Sequence, residues 1–150
     1  MKIVCFHNPE EENGYLSNWY SSQFIINDII FSSMEQFMMY QKAICFEDND
    51  IAQKILKTEN GRLISNYNEN YWNGIRQIIV FEGLMAKFSQ NESLKRQLQE
   101  TEHCILAECA VKDKIWGIGL SMGDPDRLEI SKWKGQNLLG YTLMMVRDWL

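Results

Sequence analysis

Glu35 and Lys42 are the residues most able to do chemistry. They stand in the stretch 33–46, Ser-Met-Glu-Gln-Phe-Met-Met-Tyr-Gln-Lys-Ala-Ile-Cys-Phe. Apolar residues there fall on nearly every face, the mark of a helix buried most of the way round. Glu35 and Lys42 lie two helical turns apart and project from one side. Charges along one stripe of a buried helix are costly unless they are paired or face a cavity. A lysine in an apolar setting is driven toward its neutral amine, which is a nucleophile. A nearby carboxylate opposes that drive but can carry protons. Structural readings compete. Ser32-x-x-Glu35 matches a capping box, in which Glu35 only satisfies a backbone N–H. Ser33-x-x-Gln36 matches one too, and would leave Glu35 out of the cap. Lys42 can also extend its head to water along its own stem.

Four other stretches carry groups that bind rather than react. Leu16-Ser17-Asn18-Trp19-Tyr20 sets aromatics beside an amide, a combination that can stack on a base and hydrogen-bond it, or simply form core and turn. Trp72 and Arg76 are four apart, one face of a helix, able to hold a ring and a phosphate. Asp113-x-x-Trp116-Gly117-Ile118-Gly119 puts an acid and an indole before glycines that permit close backbone approach. Gly135-Gln136-Asn137 precedes a final helix, whose first N–H groups can receive an anion or merely begin the helix.

These residues need elements to position them. Lys2–Phe6 reads as a strand. Phe24-Ile25-Ile26 and Ile29-Ile30-Phe31 flank the turn formers Asn27-Asp28 and read as a β-hairpin. Helices are expected at Ser32–Phe46, Ile51–Lys57, Tyr71–Phe88 and Glu92–Glu100, the last with Asn91 as N-cap. Cys104–Cys109 reads as a strand, Val111–Asp126 as loop, and Gly135–Leu150 as an apolar helix. The expectation is an α+β fold, predominantly α-helical, in one domain spanning 1–150, with a few short strands.

Composition bounds the function. A chain of 150 residues suits one domain able to bury roughly 70% of its unfolded surface. The net charge of -5 gives no footprint for tight nucleic-acid binding. Cys5, Cys45, Cys104 and Cys109 form no Cys-x-x-Cys pair, so no metal site and no cofactor is expected, and free thiols in a reducing cytoplasm are the reading. No stretch reaches the ~18 apolar residues of a membrane helix. The N-terminus lacks a signal-peptide core.

In order, Leu16–Tyr20, Glu35–Ala43, Ala86-Lys87-Phe88-Ser89-Gln90-Asn91, Asp113–Leu120 and Trp133-x-Gly135-Gln136-Asn137-Leu138-Leu139-Gly140 closely resemble the YbiA-like/NADAR family, from about Gly14 to Leu150. The resemblance implies N-glycosidase chemistry on a small phosphorylated ribosyl substrate. In some members that is a ribosylaminouracil phosphate of the riboflavin pathway, releasing ribose 5-phosphate. In others it is ADP-ribose on guanine in nucleic acid. It maps catalytic positions onto Glu35, Lys42 and Asp113 and aromatic pocket positions onto Trp72 and Trp116. Asn18, Trp19, Arg76, Gly117 and Asn137 complete the expected binding set. Two mechanisms follow: Lys42 attacks C1 and forms an imine, or a carboxylate activates water against an oxocarbenium-like centre. A nucleotide-binding module without turnover is the reading of another class.

Overall fold

The computed structural model describes residues 1–57 and 68–150. Its fold is α+β and mainly helical. The chain divides into two compact units, residues 21–91 and a second made of residues 1–20 with 92–150.

Unit 21–91 begins with the hairpin, β2 (Phe24–Ile26) antiparallel to β3 (Ile29–Phe31). Its turn is the expected one: Asn27 and Asp28 both take positive φ, 51° and 64°, the left-handed pair a two-residue hairpin requires. The register pairs Phe24 with Phe31, which sets both rings on one face. Helix α1 (Met34–Cys45) follows, then α2 (Asn49–Lys57) and α3 (Glu69–Ser89). The core is aromatic. Phe31 meets Phe37 edge-on at 5.1 Å and Tyr40 at 5.4 Å, and Phe24 packs on both phenylalanines. Helices α1 and α3 approach closely at Gly83, where an added Cβ would stand 2.5 Å from the Phe37 ring. The end of α3 is sewn to the hairpin by amides. Gln90 accepts from Ile25 N–H at 2.7 Å and donates to Ile25 C=O at 2.8 Å. Asn91 donates to the carbonyls of Gln23 and Lys87.

The other unit pairs β1 (Ile3–Phe6) with β4 (Ile105–Glu108) in parallel, Ile3 opposite Ile105. Between these lie a single 3-10 turn at Gly14–Leu16 and α4 (Glu92–Glu100); α5 (Leu138–Trp149) closes the chain. Buried Leu106, Leu139, Leu143 and Val146 pack β4 against α5. The junction turns on Asn137. This residue is fully buried with φ 53°. Its Nδ2 donates to Leu106 C=O at 2.8 Å and its Oδ1 accepts from Glu108 N–H at 3.0 Å. One turn on, Gly140 brings α5 so near β4 that an added Cβ would meet Leu106 O at 2.0 Å. Helix α5 starts at Leu138, so residues 135–137 lie outside it and form its approach.

Replacing Asn137 by alanine leaves a buried N–H and a buried C=O unpaired. The expected loss of unfolding free energy in urea titration is ~2–4 kcal/mol. Gly74→Ala is the opposite case. Nothing described lies within 4 Å of the added Cβ on α3, and a gain of about 0.5–1 kcal/mol is expected.

Candidate functional site

Helix α1 carries the reactive pair. Ser33 is its N-cap, accepting from Gln36 N–H at 3.1 Å. Gln36 returns the contact, its Oε1 accepting from Ser32 N–H at 2.8 Å, and its Nε2 donates to Ile55 C=O of α2. The cap is thus made by the Ser33/Gln36 set, and Glu35 takes no part in it. Glu35 is half-buried, and Lys42 is buried at 9% exposure. The Lys42 Nζ stands 5.3 Å from the centroid of the Trp72 ring on α3, itself buried. An indole face attracts a cation electrostatically, more strongly when water is excluded. One turn beyond Trp72 on α3, Arg76 Nη1 donates to Asn73 Oδ1 at 2.8 Å.

Asp113, Trp116, Gly117 and Asn137 come together in the other unit. Asp113 Oδ1 accepts from the N–H groups of Ile115 and Trp116, at 3.0 and 2.8 Å. That bond set folds the loop and leaves the Trp116 indole half-buried. The loop is then fastened to the approach of α5, strand-fashion. Gln136, Asn137, Leu138 and Leu139 donate their N–H groups to the carbonyls of Lys114, Gly117, Ile115 and Trp116. The N–H groups of Leu138 and Leu139, the first two of α5, are engaged in this way. Gly117 is required by packing: an added Cβ would stand 2.9 Å from Asp113 O and 3.0 Å from Glu108 O. Asn137, expected in the binding set, is committed to β4 through both ends of its amide.

Asn18 and Trp19 follow the Gly14–Leu16 turn. Trp19 is 54% exposed. Asn18 is the reverse, 7% exposed, and its Oδ1 is buried without a hydrogen-bond partner. A buried orphan acceptor costs ~1–3 kcal/mol.

Sequence reasoning quoted Lys87 only within a motif. The structure buries it completely on α3, its Nζ 5.1 Å from the Phe88 ring. Desolvation lowers its pKa from the ordinary 10.5 to about 7. The signal was available: Lys87 shares one stripe of α3 with Val80, Gly83 and Leu84, all small or apolar. Among the described residues no group of three or more His, Cys, Asp or Glu is placed to hold a metal ion. None of their helices is long and apolar enough to cross a membrane.

The model of the NADAR domain matches residues 5–150. An N-glycosidase of Acanthamoeba polyphaga mimivirus is 35% identical, over 98% of this chain and 95% of its own length. A riboflavin biosynthesis protein of Vibrio vulnificus is 32% identical over 97% of this chain, which spans 38% of that protein. The NMR structure of the E. coli protein YbiA superimposes with a TM-score of 0.80 at 24% identity, over 99% of this chain and 84% of that one.

Two measurements check the electrostatics. Ser33→Ala is expected to cost about 1 kcal/mol of unfolding free energy as a lost cap, and Glu35→Gln to leave the cap intact. Between pH 7 and 10 the unfolded chain holds the Lys87 proton and the folded chain has shed it, so this group makes stability rise with pH. Urea titrations across that window are expected to show a rise in the wild-type protein that Lys87→Met lacks. Parallel pH profiles for the two proteins would contradict the assignment.

Proposed function

This chain belongs to the NADAR family of N-glycosidases, and we propose that its substrate is a phosphorylated ribosyl compound, the ribosylaminouracil phosphate of the riboflavin pathway, from which it releases ribose 5-phosphate. The observation that carries this is the buried Lys42 amine over the face of buried Trp72. A shielded amine beside an aromatic surface suits attack on a sugar carbon bonded to a flat nitrogen heterocycle. The naming of a Vibrio vulnificus relative for riboflavin biosynthesis favours the aminouracil.

In the proposed reaction the Trp72 face holds positive charge, first on the lysine and then at C1 as the glycosidic bond weakens. The lysine gives up its proton and its nitrogen bonds to C1. The C1–N bond to the base breaks and the leaving nitrogen takes up a proton. Glu35, on the same stripe of α1 and outside the helix cap, is assigned that proton traffic. Asp113 is the second acid of the set, with one oxygen committed to its own loop. The ring C1–O bond then breaks, its oxygen taking a proton as the lysine nitrogen gives one up, and the imine with the opened sugar is hydrolysed by water, which returns the lysine and frees ribose 5-phosphate. Asn18 offers an acceptor to an amino group of the base, Trp116 and the exposed Trp19 offer aromatic surface, and Arg76 offers a fork for phosphate. Gly117 and Asn137 act by fixing the loop that carries Asp113 and Trp116.

The test is mass spectrometry of two parallel incubations. One holds the ribosylaminouracil phosphate, the other a guanine-ADP-ribosylated oligonucleotide. Ribose 5-phosphate is expected in the first. Lys42→Ala is expected to lower its release by at least ~10³-fold as the loss of a nucleophile, and Glu35→Gln by ~10²–10⁴-fold as the loss of an acid–base group. ADP-ribose released only in the second tube would move the activity to nucleic-acid repair. Binding of ADP-ribose with cleavage in neither would make the chain a binding module.

A further inference from the structure

A pair of thiols in the unit of residues 1–20 and 92–150 takes no part in the glycosidase reading. Cys5 lies on β1 and Cys109 one residue past the end of β4. The register sets Cys5 opposite Ala107. Cys109 is two residues further along and so on the same face. There Cys109 belongs to a cluster with Ala107, Ile118 and Leu120, and Cys5 packs against it. Cys109 is buried and Cys5 half-buried. The Cys109 thiol donates to Ala107 C=O at 3.8 Å, and the groups that act electrostatically on Cys5 are the Cys109 thiol and the Arg127 guanidinium. Arg127 is held in the short 3-10 turn Pro125–Leu128 by its own bond to Asp124 C=O at 2.9 Å. The Trp133 indole N–H donates to Arg127 C=O at 2.8 Å. The Arg127 Nε is buried with no hydrogen-bond partner. Cys5 and Arg127 open on a cavity of about 310 Å³, lined also by Lys2, Asn13 and Met122. A partly accessible thiol thus has a cation, a second thiol and room for a small reagent.

The charges divide the roles of the two sulfurs. The Cys109 thiol, with help from Arg127, holds Cys5 down at about 7 against the opposing effect of burial. Cys109 is pushed up by Cys5, by burial and by the nearby Glu108 carboxylate. At neutral pH Cys5 carries thiolate and Cys109 keeps its proton.

We propose that Cys5 and Cys109 are a peroxide-reactive pair, with Cys5 the sulfur that is oxidised and Cys109 the thiol that resolves it. The Cys5 thiolate attacks the terminal oxygen of a small hydroperoxide. An S–O bond forms and the O–O bond breaks. The departing alkoxide, or hydroxide from hydrogen peroxide, leaves after taking a proton from water. Cys5 is then a sulfenic acid, and the peroxide has accepted two electrons. Cys109 gives up its proton and attacks the Cys5 sulfur. The S–O bond breaks, and the hydroxyl departs with that proton as water. Two thiols and one hydroperoxide become a disulfide, an alcohol (or water) and water. The disulfide ties β1 to the end of β4.

Peptide mapping of the whole protein, treated with hydrogen peroxide at pH 7 in the presence and absence of dimedone, tests this. A Cys5–Cys109 linked peptide is expected in the wild-type protein. A dimedone adduct on Cys5 is expected in Cys109→Ala. The untreated wild-type protein gives an independent reading. Its Cys5 should alkylate with iodoacetamide about ten-fold faster at pH 7 than Cys45, whose thiol burial pushes up. Arg127→Gln should slow Cys5 alkylation several-fold. Oxidation of Cys5 no faster than that of Cys45, or a wild-type Cys5 that takes dimedone and never links to Cys109, would overturn the pair.

Discussion

Keeping lysine amines out of water is the constraint around which the 21–91 unit is built. Lys42 on α1 and Lys87 on α3 are both buried. Desolvation penalises the Lys87 ammonium, and a helix pair that only needed stability would place leucine or methionine at both positions. What the protein supplies at each amine is an aromatic face, Trp72 for Lys42 and Phe88 for Lys87. Those rings are useful only if they cannot move. Gly83 lets α3 close on Phe37, and the cluster of Phe24, Phe31, Phe37 and Tyr40 fixes α1 against the hairpin. The amides of Gln90 and Asn91 then tie the end of α3 to the hairpin and its approach. Aromatic packing and amide bonds therefore set where Glu35 and Lys42 stand.

The second unit obeys a different rule, complete use of backbone groups. The stretch 111–119 has no helix or strand of its own, yet it is not loose. Asp113 folds it, and the N–H groups of residues 136–139 bind its carbonyls in series. Asn137 supplies the remaining link, joining the start of α5 to β4 with a side chain where backbone cannot reach. Its positive φ orients that amide, at a cost asparagine bears better than most residues. Indole and carboxylate are presented from a loop made rigid by its own main chain, the kind of support a precise site needs.

Local chemistry was legible in the sequence, and long-range pairing was not. Asn27-Asp28 between two β-rich runs specified the hairpin and its turn. The apolar density of residues 33–46 located α1, and of the two caps its sequence left open, Ser32 with Glu35 and Ser33 with Gln36, the structure takes the second. No local pattern says that Ile3 pairs in parallel with Ile105; that register arises from burial across a hundred residues of chain. Nor does the sequence show where an amide spends its hydrogen bonds. Asn137 looked like a ligand contact, and its amide is engaged by β4. Lys87 escaped notice because it was read as part of a motif, when its place on the stripe of Val80, Gly83 and Leu84 already marked it as buried. The contacts of the chain gather into two compact units, one of them discontinuous in sequence.

The claim on which the account rests is that the Lys42 nitrogen bonds to the sugar. Borohydride reduction during turnover of the ribosylaminouracil phosphate, followed by peptide mass spectrometry, reads this directly. The account predicts a reduced ribose-phosphate adduct on the peptide carrying Lys42, absent when substrate is omitted. An active protein that yields no adduct, or one whose adduct maps to Lys87, would contradict it.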